Sequence, residues 1–262
     1  MKTLVKILSL VLALGLILGL AACGTTDTNS EPTDTDVKNE NVLVMGTNAA
    51  FPPYEFVDDN NKIVGIDAEI AEAVAKKLGK ELQIKDMEFD SLLTAVQNGA
   101  IDFALAGMTV NDERKLTVDF SDTYATGVQV VIVKEDSAIK TIDDLADKMI
   151  GVQAGTTGDI YCTDDFGQDH VKQYNNGALA VAALKNGQVD CVVIDNEPAK
   201  NFVKANTGLK ILETEYAVED YAAAISKTNK KLQEDFNKAL KELKDEGKIA
   251  EIIEKYIPSE SK

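Results

Sequence analysis

The sequence predicts an α/β protein of two similar units, each with a mostly parallel sheet. Three features carry this expectation: apolar strand-type runs alternate with segments of helical period, the alternation occurs twice, and both occurrences close on the same pattern. In the first unit the strand runs are "VLVMG" (42–46), "LQI" (82–84) and "IDFALAG" (101–107). Between the first two lies a helix from Ile66 to Leu78, apolar at 66, 70, 74 and 78, with Asp67 expected as N-cap and Gly79 as the stop. After the strand run "GVQVVIVK" (127–134) the order returns as "MIGVQ" (149–153), a helix, "VKQY" (171–174), a second helix and "DCVVID" (190–195). "AVQNGAIDFALAG" ends the first unit and "ALKNGQVDCVVID" the second, each a helix stopped by Asn-Gly, then an Asp, then a buried strand. In that register Gly107 corresponds to Asp195, while Asn48 and Gly155 both fall just past a first strand. A last amphipathic helix, roughly Lys230 to Glu246, should pack a stripe of Leu232, Phe236 and Leu240.

The chain begins differently. Residues 1–22 join two early lysines to an apolar run and small residues, the layout of an export signal, and "LAAC" looks like a lipobox that would make Cys23 the lipidated first residue of the mature protein. Residues 23–40 are acidic and lack apolar periodicity, so they should tether the folded part flexibly to the outer face of the membrane. A net charge of -17 argues against nucleic acid and against adsorption on anionic lipid. Two further cysteines, Cys162 and Cys191, could pair as a disulfide or stand as buried thiols.

Open α/β sheets bind ligands beyond the carboxyl ends of their strands. Those ends offer Asn48 and Phe51, then Ala106, Gly107 and Thr109, and in the second unit "QAGTTGD" and Asp195. "GTTGD" runs into a helix, so its N–H groups should cradle an anion. Arg114 is the only arginine of the chain. A guanidinium grips a carboxylate through two parallel hydrogen bonds, which an ammonium cannot copy. Asp195, at the end of an apolar strand, needs a cation against it, and a ligand ammonium beside the Gly107 carbonyl would serve. Phe51 and Phe89 would wall the ligand, whereas Tyr54 and Phe56 read as core. Plainer roles stand beside these: Arg114 could be a surface partner of Asp119 or Asp122, and Asp195 could cap the helix beginning "NEPAKNF".

Taken in order, "GTNAAFPPYEF", "VGIDAEIAEAVAKKLG", "MEFDSLLTAVQNGAIDFALAGMTVNDERKLTVDFSDTY", "IGVQAGTTGD" and "VVIDNEP" resemble the polar amino-acid substrate-binding proteins of ABC importers, from about Val42 to Tyr256. The resemblance implies the periplasmic-binding-protein type II fold. Its two lobes would be 41–125 with 222–258, and 126–221, joined by hinge crossings near 124–128 and 219–223 and closing on ligand held in the cleft between them. It puts the carboxylate arginine on Arg114, helped by N–H groups of Thr109 and Thr156 or Thr157, the amino-group ligands on Asp195 and Gly107, and the aromatic clamp on Phe51 and Phe89. Asn48 stands where binders of cationic side chains often carry an acid, and Gln153 and Ile194 occupy side-chain-contacting positions. These neutral residues point to a neutral polar ligand such as glutamine, with an arginine or lysine binder as the alternative. A monomeric lipoprotein serving a membrane permease follows, with no cofactor and no metal.

An enzyme of the same fold, such as a cyclohexadienyl dehydratase, is the competing class. The sole histidine, His170, and Cys162 form no recognisable nucleophile arrangement, and metal-ligand spacing is absent.

Overall fold

The computed structural model describes residues 40–213 and 215–259. The signal at 1–22, Cys23 and all but the last residue of the 23–40 tether lie outside the described residues.

The chain enters through β1 (Val42–Thr47) and turns into a small antiparallel sheet of β2 (Ala50–Phe51), β3 (Glu55–Val57) and β4 (Ile63–Val64). Then come α1 (Ile66–Lys77), β5 (Glu81–Asp86), α2 (Leu92–Gln97), β6 (Phe103–Ala104), α3 (Asp112–Thr117) and β7 (Val118–Phe120). A long strand, β8 (Ala125–Lys134), opens the second half. It is followed by β9 (Ile150–Gln153), α4 (Thr157–Phe166), β10 (Val171–Tyr174), α5 (Gly177–Lys185), β11 (Cys191–Asp195), α6 (Asn196–Ala205) and β12 (Leu209–Ile211). The chain returns through β13 (Ala217–Tyr221) and β14 (Ala224–Ser226) and ends in α7 (Lys230–Asp245) and α8 (Lys248–Tyr256).

Two larger sheets result. The first has the order β5-β1-β6-β14-β7, the second β10-β9-β11-β8-β12 with β13 also paired to β8. The strands read from apolar runs within each unit are parallel: β1 to β5 and β6, β9 to β10 and β11. The strands next to the crossings, β14 in the first sheet and β8 in the second, run antiparallel to their neighbours. The chain passes from the first sheet to the second between Phe120 and Ala125, and back between Tyr221 and Ala224. At those crossings β8 and β13 lie side by side, in register from Ala125↔Tyr221 to Gln129↔Ala217.

Apolar periodicity accounts for the packing. Helix α7 buries Leu232, Phe236, Ala239, Leu240 and Leu243, and Phe236 meets Phe103 edge-on at 5.3 Å. Each of these leucine and phenylalanine side chains contributes about 1.5–3 kcal/mol when removed from water. Asn229 accepts from the Leu232 N–H at 3.1 Å and so caps the helix start.

Asp67 is not the cap of α1. The residue before the helix is Gly65 at φ 126, whose missing side chain leaves room for the Tyr54 carbonyl; an added Cβ would lie 2.3 Å from that oxygen. The helix therefore starts early, and Asp67 turns into the core, where it accepts from the Gly107 N–H at 2.8 Å and the Tyr124 hydroxyl at 2.7 Å. Cys162 and Cys191 are buried free thiols in the core of the second sheet, with burial pushing the Cys191 thiol up to about 12.

Candidate ligand-binding site

One cleft between the carboxyl ends of the two large sheets is lined by Asn48, Phe51, Phe89, Ala106, Gly107, Thr109, Arg114, Gln153, Thr156, Thr157 and Asp195, together with Glu55. The site residues expected from the sequence are thus brought to one place, except Ile194: on β11 it faces away from Asp195, and its side chain packs toward Gly177 of α5.

Local chemistry fixes each wall. Asn111 caps α3 by accepting from the Arg114 N–H at 2.8 Å, which sets Arg114 in the first helical turn. Arg114 is 5 % exposed, and its guanidinium donates to the Thr109 carbonyl at 2.8 Å and to the Gly155 carbonyl at 3.0 Å and lies 5.5 Å from the centre of the Phe89 ring. This is not a surface pair with Asp119 or Asp122: Asp119 is bound by Lys230 instead. Opposite, Thr156 caps α4 by accepting from the Asp159 N–H at 3.3 Å, leaving the N-terminal N–H groups of that helix toward the cleft. Gly107 holds φ 53 with Phe51 against it; a Cβ there would stand 3.0 Å from the ring.

Asp195 is buried at the cleft wall, and burial pushes its carboxyl up to about 7 although the Tyr221 hydroxyl donates to it. It occupies the N-cap position of α6 without making a capping hydrogen bond, so the side chain is spent on the cleft. Glu55 carries the same tension further. Its carboxyl meets no N–H or hydroxyl donor among the described residues, and burial together with the charge of Asp67 and a hydrogen bond shared with that second carboxyl holds its pKa well above the ordinary glutamate value. Asp67 itself is pushed up to about 6 by burial. Among the hydrogen bonds that cross the cleft directly, the Gln153 amide donates to Asn48 Oδ1 at 2.9 Å, and Arg114 reaches Gly155.

Sequence reasoning missed Glu55 because, between Tyr54 and Phe56, it reads as the solvent side of a short strand. It also missed Asp67, Glu219 and Tyr221, which support the floor; the only signal was an acid in the apolar surroundings of the last strand pair. A buried arginine facing buried acids, with apolar rings as walls and helix N–H groups at one end, defines a site for a small zwitterionic or cationic solute.

The comparisons with known proteins agree with that class. The chain belongs to the bacterial extracellular solute-binding proteins, family 3, which match residues 43–259. The arginine-binding extracellular protein ArtP of Bacillus subtilis (strain 168) is 34 % identical over 264 residues, covering 97 % of this chain and 99 % of the relative. Among solved structures, an ancestral arginine-binding protein bound to glutamine is 42 % identical at a TM-score of 0.80, covering 84 % of this chain and 100 % of that one. The arginine-, lysine-, histidine-binding protein ArtJ of Geobacillus stearothermophilus is 37 % identical at a TM-score of 0.79, covering 84 % and 96 %. The fold is the periplasmic-binding-protein type II fold, and the chain is a binding protein rather than an enzyme. Among the described residues no helix is long and apolar enough to cross a membrane.

Proposed function

We propose that this chain is the extracytoplasmic binding component of an ABC importer for amino acids, anchored through lipidated Cys23, that captures an amino acid with a cationic side chain and presents it to the permease. Two lobes, 41–125 with 222–258 and 126–221, would close about the paired strands β8 and β13. Arg114 grips the α-carboxylate bidentately, helped by N–H groups of Thr109, Thr156 and Thr157. Asp195 and the Gly107 carbonyl hold the ammonium, and Phe51, Phe89 and Ala106 exclude water from it. Closure brings both sets of groups onto one ligand, which shifts the open and closed populations by its extra affinity for the closed form.

The observation that carries the cationic reading is Glu55: a carboxyl lining the cleft, deeply buried and sharing a hydrogen bond with a second buried carboxyl, that of Asp67. Only a shared proton or an incoming cation relieves that arrangement. The neutral expectation rested on Asn48 and Gln153, yet these bond to one another, and Asn48 also donates to the Met87 carbonyl at 2.9 Å. Their capacity for a neutral side chain is largely spent. Relatives named for arginine support the same reading. Glutamine keeps a place as second reading because the ancestral relative is bound to it.

The test is titration calorimetry of arginine, lysine, histidine and glutamine against the wild type and Glu55→Gln. Arginine should bind the wild type most tightly, and the substitution should weaken it by about 10- to 100-fold while leaving glutamine nearly unchanged. Tighter glutamine than arginine binding in the wild type, or an unaltered arginine affinity in the variant, overturns the cationic reading.

A further inference from the structure

Two buried carboxyls meet beside the cleft. Glu55 is 1 % exposed and lines the cavity, and Asp67 behind it is 0 % exposed. The backbone forces them together. Strands β2 and β3 pair with Phe51 opposite Glu55, which sets the acid next to an aromatic wall of the cleft. The first turn of α1 is then bonded to the start of the same hairpin, the Ile66 N–H donating to the Pro53 carbonyl at 3.1 Å and the Asp67 N–H to the Tyr54 carbonyl at 2.9 Å. Asp67 thus arrives against Glu55, and the two carboxyls share a hydrogen bond.

Counting hydrogens places a proton on the pair. Asp67 Oδ2 accepts from the Gly107 N–H and the Tyr124 hydroxyl, but its Oδ1 and both oxygens of Glu55 meet no N–H or hydroxyl donor among the described residues. Two ionised carboxylates in such contact, away from water, would repel with nothing to offset the cost, so one of them stays protonated. Asp67 is the better anion, because two donors and the first turn of α1 favour its charge. Glu55 has neither, so the proton belongs to the acid that lines the cleft. Its other surroundings act the same way: Asp195 from the end of β11 and Asp86 from the end of β5 both oppose its ionisation. The nearby hydroxyls of Tyr124 and Tyr221 are given to Asp67 and Asp195, while Tyr54 stacks on Phe51 and meets Tyr221 edge-on. The cleft's own cation, Arg114, directs its donors to the Thr109 and Gly155 carbonyls.

We propose that Glu55 selects the ligand's side chain by exchanging a proton for a cation: a guanidinium or ammonium entering the cleft displaces the proton of the Glu55–Asp67 pair to solvent, whereas a neutral side chain leaves it in place. The inference rests on the cationic reading above and deepens it. Charge balances in the exchange. The empty pair carries one negative charge; with the cation bound it carries two, offset by the one positive charge that entered. The cleft therefore buries the same net charge at this end with either class of ligand, and pH decides between them. Because binding a cation releases a proton, its affinity relative to a neutral isostere rises about tenfold per pH unit while Glu55 is protonated in the empty protein.

The experiment compares arginine with citrulline, which has nearly the same shape and no side-chain charge. Calorimetry in phosphate and in bis-Tris, whose ionisation enthalpies differ, counts the protons released on binding. Any proton given up by Asp195 to meet the α-ammonium is common to both ligands and cancels in the difference. Arginine should release about one proton more than citrulline, and infrared difference spectra should show a protonated-carboxyl band that arginine removes and citrulline keeps. Glu55→Gln should abolish both differences. Asp67→Asn, whose carbonyl still accepts from Gly107 and Tyr124 while its amide can donate to Glu55, should abolish them as well, and serves alone if Glu55→Gln fails to fold. The two readings fail separately. Arginine that does not bind, or binds Glu55→Gln as tightly as the wild type, refutes the cationic reading. Arginine binding that needs Glu55 yet releases no more protons than citrulline, or leaves the carboxyl band in place, overturns the exchange alone.

Discussion

Arg114 shows how much one residue can disclose. Its being the only arginine of the chain singled it out before any fold was known, and the structure buries it between Thr109, Gly155 and the Phe89 ring. A lysine there would keep the charge and lose the fork. Arg114→Lys should therefore weaken amino-acid binding by about 100-fold in calorimetry while the ligand-free melting temperature moves by only a few degrees. An unchanged affinity would remove the carboxylate role. The other cleft residues were legible for a similar reason, since each follows a recognisable strand end. Glu55 was not, because its role depends on Asp67 arriving beside it from α1, and two carboxylates far apart in sequence announce nothing about sharing a pocket.

Among the elements, the long apolar runs could be read and the short or late ones could not. Each unit's three strands carry enough consecutive apolar residues to declare themselves, whereas β2 and β4 have two residues each and no period to detect. The antiparallel entries of β8 and β14 depend on strand order, which no local pattern encodes. Asp67 was misassigned because an acid at a helix start ordinarily caps, and only the positive φ of Gly65 moved the start. A second glycine carries a prediction at this scale. Gly155, at φ 74 in the turn between β9 and α4, approaches Asp90 so closely that an added Cβ would lie 3.0 Å from the Asp90 Cβ and 3.2 Å from its Cα. Gly155→Ala adds left-handed strain of about 1 kcal/mol and wedges the cleft, so the arginine-saturated variant should scatter X-rays with a larger radius of gyration than the wild type. Equal radii would show that the turn yields instead.

At the scale of the whole molecule, the buried acids set a dependence on pH. Asp195 near 7 and Asp67 near 6 both lie above the ordinary carboxylate range, so the folded ligand-free protein keeps protons that the unfolded chain has already released. Their stabilising contribution is complete below the unfolded value near 4 and is lost as pH rises through about 6 to 7. The net charge of -17 acts in the same direction. The urea midpoint of the ligand-free protein should accordingly fall between pH 4 and 7, and Asp195→Asn should flatten that fall. Arginine affinity should run the other way, rising toward pH 7 as Asp195 ionises to meet the ammonium; a flat profile for both would detach Asp195 from the site.

The first sheet has one more consequence, for the order in which the chain becomes a protein. Strand β14, from the end of the sequence, lies between β6 and β7, from its beginning, and pairs with both. The second sheet needs nothing outside residues 125–221. During synthesis or passage through a membrane, the later half can therefore assemble while the earlier half is still waiting for its missing strand. The part that emerges first is the part that finishes last, and until it does its apolar strands depend on whatever shields nascent chains from one another.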